Sequence, residues 1–245
     1  TFLKPQALDA PLAPRTLGVI VNRVATAREI AANLAVAFAE TADVRLLTGR
    51  MRPLDREALV AETEPRVRAG RDRSAGTRPL VVVATQCIEA GADLNFDALI
   101  AECASLEAVR QRFGRLDRLG DRHSAGGESP AVILVRSDQV ADSAEPDPIY
   151  GEALRNTWRW LQTLGLPCDF GTRQLPLPDE QALAELAAPR LHAPILLPAH
   201  LDAWNQTHPR PEPDPDVALW LHGPQRGEPE VQIVWRADLN AAALA

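Results

Sequence analysis

The sequence predicts an α/β fold in which a parallel sheet carries helices on both faces, followed by a smaller, proline-rich region of mixed structure. Three observations lead to this prediction. Short apolar runs recur along the first half of the chain, and segments with helical spacing separate them. Apolar strands that alternate with helices are typical of a parallel sheet buried on both sides. The third observation is that 15 of the 21 prolines lie beyond residue 120.

Five segments have the length and composition of buried strands. The clearest is Pro79–Ala84, which is apolar throughout and contains three consecutive valines. Branched residues favour strands, and a short apolar run of this kind predicts a fully buried one. We therefore expect both faces of the sheet to be covered. The predicted strands are Leu17–Val21, Val44–Leu47, Pro79–Ala84, Ala98–Ala101 and Ala131–Val135.

Segments with helical spacing fill the intervals between these strands. Thr26 and Glu29 have the spacing of a capping box, in which a hydroxyl and a carboxylate satisfy free amides of the first helical turn. Ile30, Leu34 and Phe38 follow at the spacing of one helix face. Further helices are predicted from Pro53 to about Ala69, over Ser105–Arg118 and over Pro148–Leu164.

The proline content divides the chain into regions. Residues 1–16 are a predicted linker, residues 17–140 carry the alternating pattern of a lobe, and residues 141–245 are a predicted accessory C-terminal region. Within the last region, Pro209–Pro215 excludes a helix interior, while Val231–Trp235 predicts a terminal strand. Because the chain begins without Met and in an Ala/Pro-rich run, we expect it to be the downstream part of a longer protein.

The charge is distributed unevenly. The formal net charge is −7, but residues 1–120 carry 17 basic and 15 acidic side chains, and residues 121–245 carry 9 and 18. An acidic surface gains no affinity for DNA from counterion release, so nucleic-acid contacts are expected in the first half. The single lysine, Lys4, is not in the Gly-Lys-Ser/Thr setting of a phosphate-binding P-loop. By itself, the chain is therefore not a complete P-loop ATPase.

The cysteines and histidines predict no metal site. Three cysteines, Cys87, Cys103 and Cys168, lack CxxC spacing, and the five histidines are scattered. No stretch approaches the 18 consecutive apolar residues of a membrane helix, and the first residues lack the pattern of a signal peptide. We therefore expect a protein of the reducing cytoplasm with no membrane partner.

The strand predicted at 79–84 ends in a polar turn. Thr85 follows the strand directly, and Gly91 and Asp93 lie a few residues beyond it. In an open parallel sheet, ligands bind at the carboxyl ends of the strands, where these residues could contact phosphate and sugar hydroxyls. A strand followed by a turn with one Gly and one Asp is also a common structural element. The turn alone leaves both interpretations open.

Arginine recurs at every third position between residues 111 and 118. If the predicted helix continues through them, Arg112, Arg115 and Arg118 form a band on one side of it. A guanidinium offers a planar fork of donors that suits phosphate oxygens, as an arginine finger requires. Gly114 in mid-helix costs about 1 kcal/mol relative to Ala, which indicates close packing there. The alternative is a solvated helix face neutralised by nearby carboxylates.

A second basic cluster follows the helix predicted from Pro53. This cluster is able to meet DNA or another acidic surface, and it is equally consistent with a solvated loop. Its members are Arg66, Arg68, Arg71, Arg73 and Arg78.

The order and spacing of these segments resemble a known family. Residues 84–93, ATQCIEAGAD, followed by residues 111–118, QRFGRLDR, resemble motifs V and VI of the second RecA-like lobe of superfamily 2 helicases. Residues 18–23 resemble motif IV, so the resemblance covers residues 17–136. Within the superfamily, the chain is most similar to the CRISPR-associated helicase-nuclease of type I systems. The tail, with residues 197–200, 221–223 and 234–239, resembles the C-terminal part of that protein in subtype I-G.

The resemblance implies a RecA-like lobe with a catalytic group in motif VI. Arg115 and Arg118 would face the γ-phosphate of ATP held by a first lobe. Arg112 would link to the acidic motif of that lobe, and Gln111 precedes it in the same motif. The resemblance therefore assigns these four residues to ATP hydrolysis.

The resemblance also implies contacts to the nucleotide and to DNA. Asp93 would hold the ribose hydroxyls of ATP, with Gly91 beside it in motif V. Asn22, Arg50 and Thr85 would contact phosphates of single-stranded DNA. Each of these residues follows a predicted strand, as expected for ligand contacts in a parallel sheet.

The cofactors and partners are implied in the same way. ATP and Mg²⁺ would be bound mainly by a first RecA-like lobe, which lies upstream with a nuclease domain and is absent from these residues. The implied activity is ATP-dependent 3′ to 5′ translocation on single-stranded DNA together with a CRISPR effector complex. Two alternatives stay open: a superfamily 2 RNA or DNA helicase lobe without a CRISPR role, and a non-enzymatic α/β interaction domain.

Overall fold

A five-stranded parallel sheet lies at the centre of the part of the chain that the structure describes. This computed structural model describes residues 15–71, 78–91, 93–165, 167–171, 174–189, 194–206 and 220. The strands are β1 Thr16–Ile20, β2 Asp43–Leu47, β3 Leu80–Ala84, β4 Ala98–Glu102 and β5 Ala131–Leu134. Their order across the sheet is β2-β3-β1-β4-β5, and every neighbouring pair is parallel. The five predicted strands and their parallel arrangement are confirmed.

Helices connect the strands and continue after the sheet. Those between strands are α1 Val24–Ala37, α2 Pro53–Val67, α3 Leu106–Phe113 and the single-turn α4 Asp121–Ser124, with a short 3₁₀ helix at Gln86–Ile88 after β3. Within the described residues, four more follow β5: α5 Ser137–Val140, α6 Ala153–Thr163, α7 Glu180–Leu186 and α8 Pro198–Trp204.

Both faces of the sheet are buried, as the continuous apolar strands predict. On one face, Leu17 and Val19 of β1 pack with Ala27 and Ala31 of α1. On the other face, the core includes Ile20 of β1, Val82 of β3 and Val67 of α2. Successive side chains of a strand point to opposite faces, which is why every position of β1 and β3 is apolar or small and buried.

Two local predictions are wrong. The capping box at Thr26 and Glu29 does not form, because α1 already begins at Val24, and its N-cap Arg23 makes no side-chain cap hydrogen bond. The helix predicted to reach Arg118 ends at Phe113, with Gly114 as its C-cap. Beyond it the chain runs beside Phe96, which donates its amide to the Arg115 carbonyl (2.7 Å) and accepts the Asp117 amide (2.9 Å). These strand-like bonds replace the helical ones.

The chain divides into two compact units, residues 1–189 and residues 190–245. In the first unit, Tyr150 and Leu154 share a buried apolar cluster with Ala108 and Val109 of α3, so the residues after β5 pack on the lobe. The predicted domain limits after residues 16 and 140 stay predictions. The predicted Pro209–Pro215 loop and Val231–Trp235 strand lie outside the described residues.

The close approach of Phe96 to Gly18 makes the replacement Gly18→Ala a test of the packing. A Cβ at residue 18 would lie 2.8 Å from Cδ2 of Phe96, whose side chain is fully buried. Because overpacking of a dense core costs typically 1–3 kcal/mol, we expect the free energy of unfolding to fall by about 2 kcal/mol in urea denaturation. The matched control is Gly49→Ala, whose Cβ would lie 3.8 Å from its nearest neighbour. Equal stability of the two variants would contradict this packing.

Candidate functional site

The carboxyl ends of the five strands form one edge of the sheet. Asn22 follows β1, Thr85 follows β3, Cys103 follows β4, and Arg50 lies in the turn after β2. Helix α1 leaves β1 toward one face of the sheet and packs there, whereas Phe113 at the end of α3 packs on the other face. Neighbouring strands whose helices diverge in this way open a crevice between their carboxyl ends. The crevice between β1 and β4 is therefore the expected ligand-binding position.

Arg112 lies inside this crevice. Helix α3 begins at the edge because Ser105 caps it by accepting the Ala108 amide, and its last turn directs Arg112 back over the strand ends. The Arg112 side chain has no exposed surface. Its Nε donates to a carboxylate oxygen of Glu89 (2.8 Å), Nη1 to the Glu102 carbonyl (2.6 Å), and Nη2 to Asn22 Oδ1 (2.9 Å) and to the Tyr150 hydroxyl (3.0 Å).

The position of Arg112 differs from the one that the resemblance implies. A residue that links to another lobe has to reach the surface, and Arg112 is enclosed by other residues of this chain. A buried guanidinium is tolerated only where its donors are satisfied, and here three nitrogens have partners. In this structure Arg112 therefore positions the strand ends around it.

Arg115 lies in the turn after α3 and is held by backbone carbonyls. Its Nε donates to the carbonyl of Ile88 (3.0 Å) and its Nη2 to that of Glu89 (2.6 Å). Partial burial lowers the pKa of Arg115, the nearby Arg118 lowers it further, and Asp93 opposes this change. The side chain nevertheless stays charged. The structure therefore orients a half-buried cation through neutral partners, and no described carboxylate forms a direct ion pair with it.

Arg118 and Asp93 form an exposed ion pair near Arg115. Arg118 Nη1 lies 2.8 Å from Asp93 Oδ1, and both side chains are well exposed. The Arg118 amide donates to Oδ1 of the buried Asn95 (2.9 Å), which fixes the backbone. Gly91, two residues before Asp93, has φ +71°, which only glycine adopts readily. The two predicted segments thus meet in space, with two arginines at their junction.

The turn between the two arginines has an unusual backbone. Asp117 has φ +41°, and its carboxylate accepts the amides of Arg122 (3.1 Å) and His123 (3.0 Å) at the start of α4. These bonds hold a conformation that is uncommon for a residue other than glycine. Arg112, Arg115 and Arg118 consequently do not share one helix face, and the predicted band of three is wrong.

The remaining predicted site residues differ in exposure. Gln111 and Arg50 are exposed, and neither makes a side-chain hydrogen bond to another described residue. Thr85 and Asn22 are buried, and Asn22 also donates to the Cys103 carbonyl (2.7 Å). Of the three predicted DNA contacts, only Arg50 therefore presents its side chain to solvent at this edge.

The second basic cluster lies at the opposite edge of the sheet. Arg66 bonds Asp43 at the start of β2, and Arg71 bonds the buried Asp97 just before β4. Arg78 lies 3.7 Å from Asp43 as well. These three arginines lie at carboxylates near the amino ends of the strands and are structural. Arg68 is exposed and lies 3.9 Å from Glu64 of α2, and Arg73 lies outside the described residues.

Sequence reasoning missed Glu89, Glu102, Gln86 and Tyr150. Glu89 and Gln86 lie within the recognised 84–93 segment, so their proximity to the site could have been inferred. Tyr150 contacts Arg112 across 38 positions of sequence, and no local spacing indicates that contact.

The described residues contain no group of three His, Cys, Asp or Glu side chains able to hold a metal ion. At the site, Asp93 and Glu89 are each paired with an arginine. The site therefore does not fit Mg²⁺. No described helix is both long enough and apolar enough to cross a membrane.

Comparisons of sequence show what part of the chain is related to known proteins. Residues 14–121 match the family model for the CRISPR-associated nuclease/helicase Cas3, C-terminal. Proteins named CRISPR-associated nuclease/helicase Cas3 are 30% identical over 121 residues in Methanothermobacter thermautotrophicus and 31% identical over 96 residues in Haloferax volcanii. These alignments cover 49% and 39% of this chain but only 13% and 10% of the relatives. The chain thus spans a small part of their length.

Comparisons of structure agree on the fold. The crystal structure of a CRISPR-associated protein matches 81% of this chain and 22% of that chain, with TM-score 0.54 and 24% identity. T. fusca Cas3 with ATP matches 70% of this chain and 20% of that chain, with TM-score 0.51 and 22% identity. A five-stranded parallel sheet with the RecA-like arrangement is common to them. The resemblance to the CRISPR-associated helicase-nuclease is confirmed for residues 14–121, which are similar to the C-terminal part of Cas3, whereas subtype I-G stays a prediction.

Proposed function

We propose that this chain is the second motor lobe of an ATP-dependent 3′ to 5′ single-stranded DNA translocase that acts with a nuclease in type I CRISPR interference. The observation that carries the proposal is the junction of residues 84–93 with residues 111–118 at one site. There, Arg115 is oriented by two carbonyls and Arg118 is exposed beside it. Neither arrangement is needed to stabilise a parallel sheet.

The chemistry of this junction suits an arginine finger. Phosphoryl transfer needs positive charge that is already oriented where negative charge develops, and carbonyl partners orient Arg115 without neutralising it. Nη1 of Arg115 makes no hydrogen bond to another described residue, so its donors can serve a phosphate oxygen. Arg118 would exchange Asp93 for a phosphate, which frees Asp93 to accept hydrogen bonds from ribose hydroxyls.

The same sheet edge offers the DNA contact. Arg50 is exposed after β2, and Thr85 and Asn22 end the neighbouring strands. Because the side chains of Thr85 and Asn22 are buried, we assign them to shaping the backbone that faces DNA phosphates. The Gln86–Ile88 turn then lies between this surface and Arg115, whose Nε it binds through Ile88.

The cofactors and partners are part of this proposal. ATP is the substrate, and it would be bound, together with Mg²⁺, mainly by a first RecA-like lobe upstream; Gln111 would lie on the surface that meets this lobe. Closure of the two lobes on ATP would move one of them along the strand. A structure described as a CRISPR RNA-guided surveillance complex, pre-nicking, shares this fold with TM-score 0.51 and 23% identity. The partner in this proposal is a CRISPR effector complex of subtype I-G in the cytoplasm.

The chain by itself is expected not to hydrolyse ATP. Its single lysine lies outside any P-loop pattern, and its site does not fit Mg²⁺. Phosphate release from ATP should stay at background for the purified 245-residue chain, with and without single-stranded DNA. Turnover that is above background and is abolished by denaturation would contradict the division of labour between two lobes.

Strand displacement by the complete protein tests the proposed function. We expect displacement from a partial duplex with a 3′ single-stranded overhang, dependent on ATP, and little from a matched duplex with a 5′ overhang. An RNA duplex of the same sequence distinguishes the two candidate functions: a DNA motor should leave it intact, and a general helicase lobe should displace its strand. Equal use of both overhangs, or displacement without ATP, would overturn the proposal.

A further inference from the structure

Tyr150 closes a hydrogen-bond ring at the carboxyl edge of the sheet. It follows β5 and α5 and lies outside the 14–121 segment that matches the family model. Its hydroxyl accepts from Arg112 Nη2 (3.0 Å) and from Gln86 Nε2 (3.2 Å), and the residue is 4% exposed. Gln86 Nε2 also donates to the Asn22 carbonyl (3.0 Å). One oxygen therefore joins the turn after β3 to the last turn of α3.

Asp147 holds the backbone of Tyr150 in place. Its Oδ1 accepts the backbone amides of Ile149 (2.8 Å) and Tyr150 (2.9 Å), and its Oδ2 pairs with Arg23 (2.7 Å). The Asp147 side chain is only 6% exposed. Burial raises the pKa of Tyr150, although Arg112 opposes this change, so the hydroxyl stays protonated. The position of the oxygen is thus set by the residues that follow the sheet.

The ring connects the two halves of the proposed site. Gln86 follows Thr85 directly, at the edge that we assign to DNA. Glu89, at the end of the same turn, binds Arg112 through its carboxylate and Arg115 through its carbonyl. A displacement of residues 85–89 therefore alters the partners of Arg115. Tyr150 restrains that turn and Arg112 through one shared atom.

We infer that Tyr150 is a positioning residue that couples DNA contact at Thr85, through residues 86–89, to the orientation of Arg115. This inference rests on the proposed function. It assigns a coupling role to a residue that lies after the lobe and outside all of the motifs of the lobe. Tyr150 itself touches neither DNA nor ATP in this assignment.

The test measures ATP turnover of the complete protein with and without saturating single-stranded DNA. Tyr150→Phe keeps the aromatic side chain and removes only the hydroxyl oxygen that Arg112 and Gln86 share. We expect the ratio of turnover with DNA to turnover without DNA to fall about tenfold, a typical effect of losing a hydrogen bond to a charged group, while KM for ATP changes less than twofold. Gln86→Leu removes the second donor to the Tyr150 hydroxyl oxygen. It should therefore lower the stimulation by DNA through the loss of the same contact. The double variant should therefore lose little more than either single one.

Thr157→Val is the matched control. It removes a buried hydroxyl from α6 that has no hydrogen-bond partner among the described residues. Its DNA stimulation should equal that of the wild type. If the wild type shows no DNA stimulation, the proposed function fails and the inference with it. If the wild type is stimulated and Tyr150→Phe is stimulated equally, or if Thr157→Val loses the same amount, the inference alone is overturned.

Discussion

Replacement of Arg115 by alanine is expected to lower the ATP turnover of the complete protein at least about a hundredfold. Loss of one oriented donor from a transition-state site costs 10²–10³ in turnover, and loss of an arginine finger costs more. The carbonyls of Ile88 and Glu89 orient Arg115 before substrate binds, so the cost falls on the transition state. Affinity for single-stranded DNA and the midpoint of thermal unfolding should change little.

Arg110→Ala is the matched control for this prediction. Arg110 is exposed on α3 and is assigned no role, so its removal changes the same amount of charge close by. Turnover of this variant should stay within about twofold of the wild type. Arg118→Ala should behave like Arg115→Ala. If Arg115→Ala retains turnover within a few-fold of the wild type, Arg115 is a structural residue and the assignment of residues 111–118 to catalysis is wrong.

The main expected effect of Arg112→Ala is a lower free energy of unfolding. The replacement leaves the largely buried Glu89 carboxylate without its cation and the carbonyl of Glu102 without its donor. Removal of one partner of a buried ion pair costs 3–5 kcal/mol, so the free energy of unfolding in urea should fall by about 4 kcal/mol. Arg112→Lys keeps the charge but loses the fork geometry and should give a smaller loss.

The control for stability is again Arg110→Ala, which should lie within about 0.5 kcal/mol of the wild type as an exposed substitution. A loss below about 1 kcal/mol for Arg112→Ala would show that the four hydrogen bonds of Arg112 do not stabilise the lobe. In that case Arg112 would again be available for the link to a first lobe that the resemblance implies.

The sheet was predictable because its signal is local. Runs such as Pro79–Ala84 are apolar at every position, and a strand needs no distant information to be recognised. The proximity of the two motif segments was also predictable, since Arg118 pairs with Asp93 and Arg115 binds the carbonyls of residues 88 and 89, whereas the roles of these residues stay predictions. The parallel arrangement brings strand ends to one edge whatever the lengths of the connections.

The interior of the site was not predictable because its contacts are distant in sequence. Asn22 meets Arg112 across 90 positions, and Tyr150 meets it across 38. Helical periodicity placed Arg112 with Arg115 and Arg118, but bonds between Phe96 and residues 115 and 117 end the helix early. A tertiary backbone pairing thus overrode a local pattern, and it separates the buried arginine from the two that lie in the turn.

ATP hydrolysis by the complete protein, measured with and without single-stranded DNA, tests the central claim most directly. The claim is that this lobe supplies oriented arginines to a nucleotide held by a partner lobe and that DNA bound at the strand ends controls them. The expected result is turnover that rises on addition of single-stranded DNA and is lost in Arg115→Ala but not in Arg110→Ala. Turnover that is independent of DNA and the same in both variants would contradict the claim.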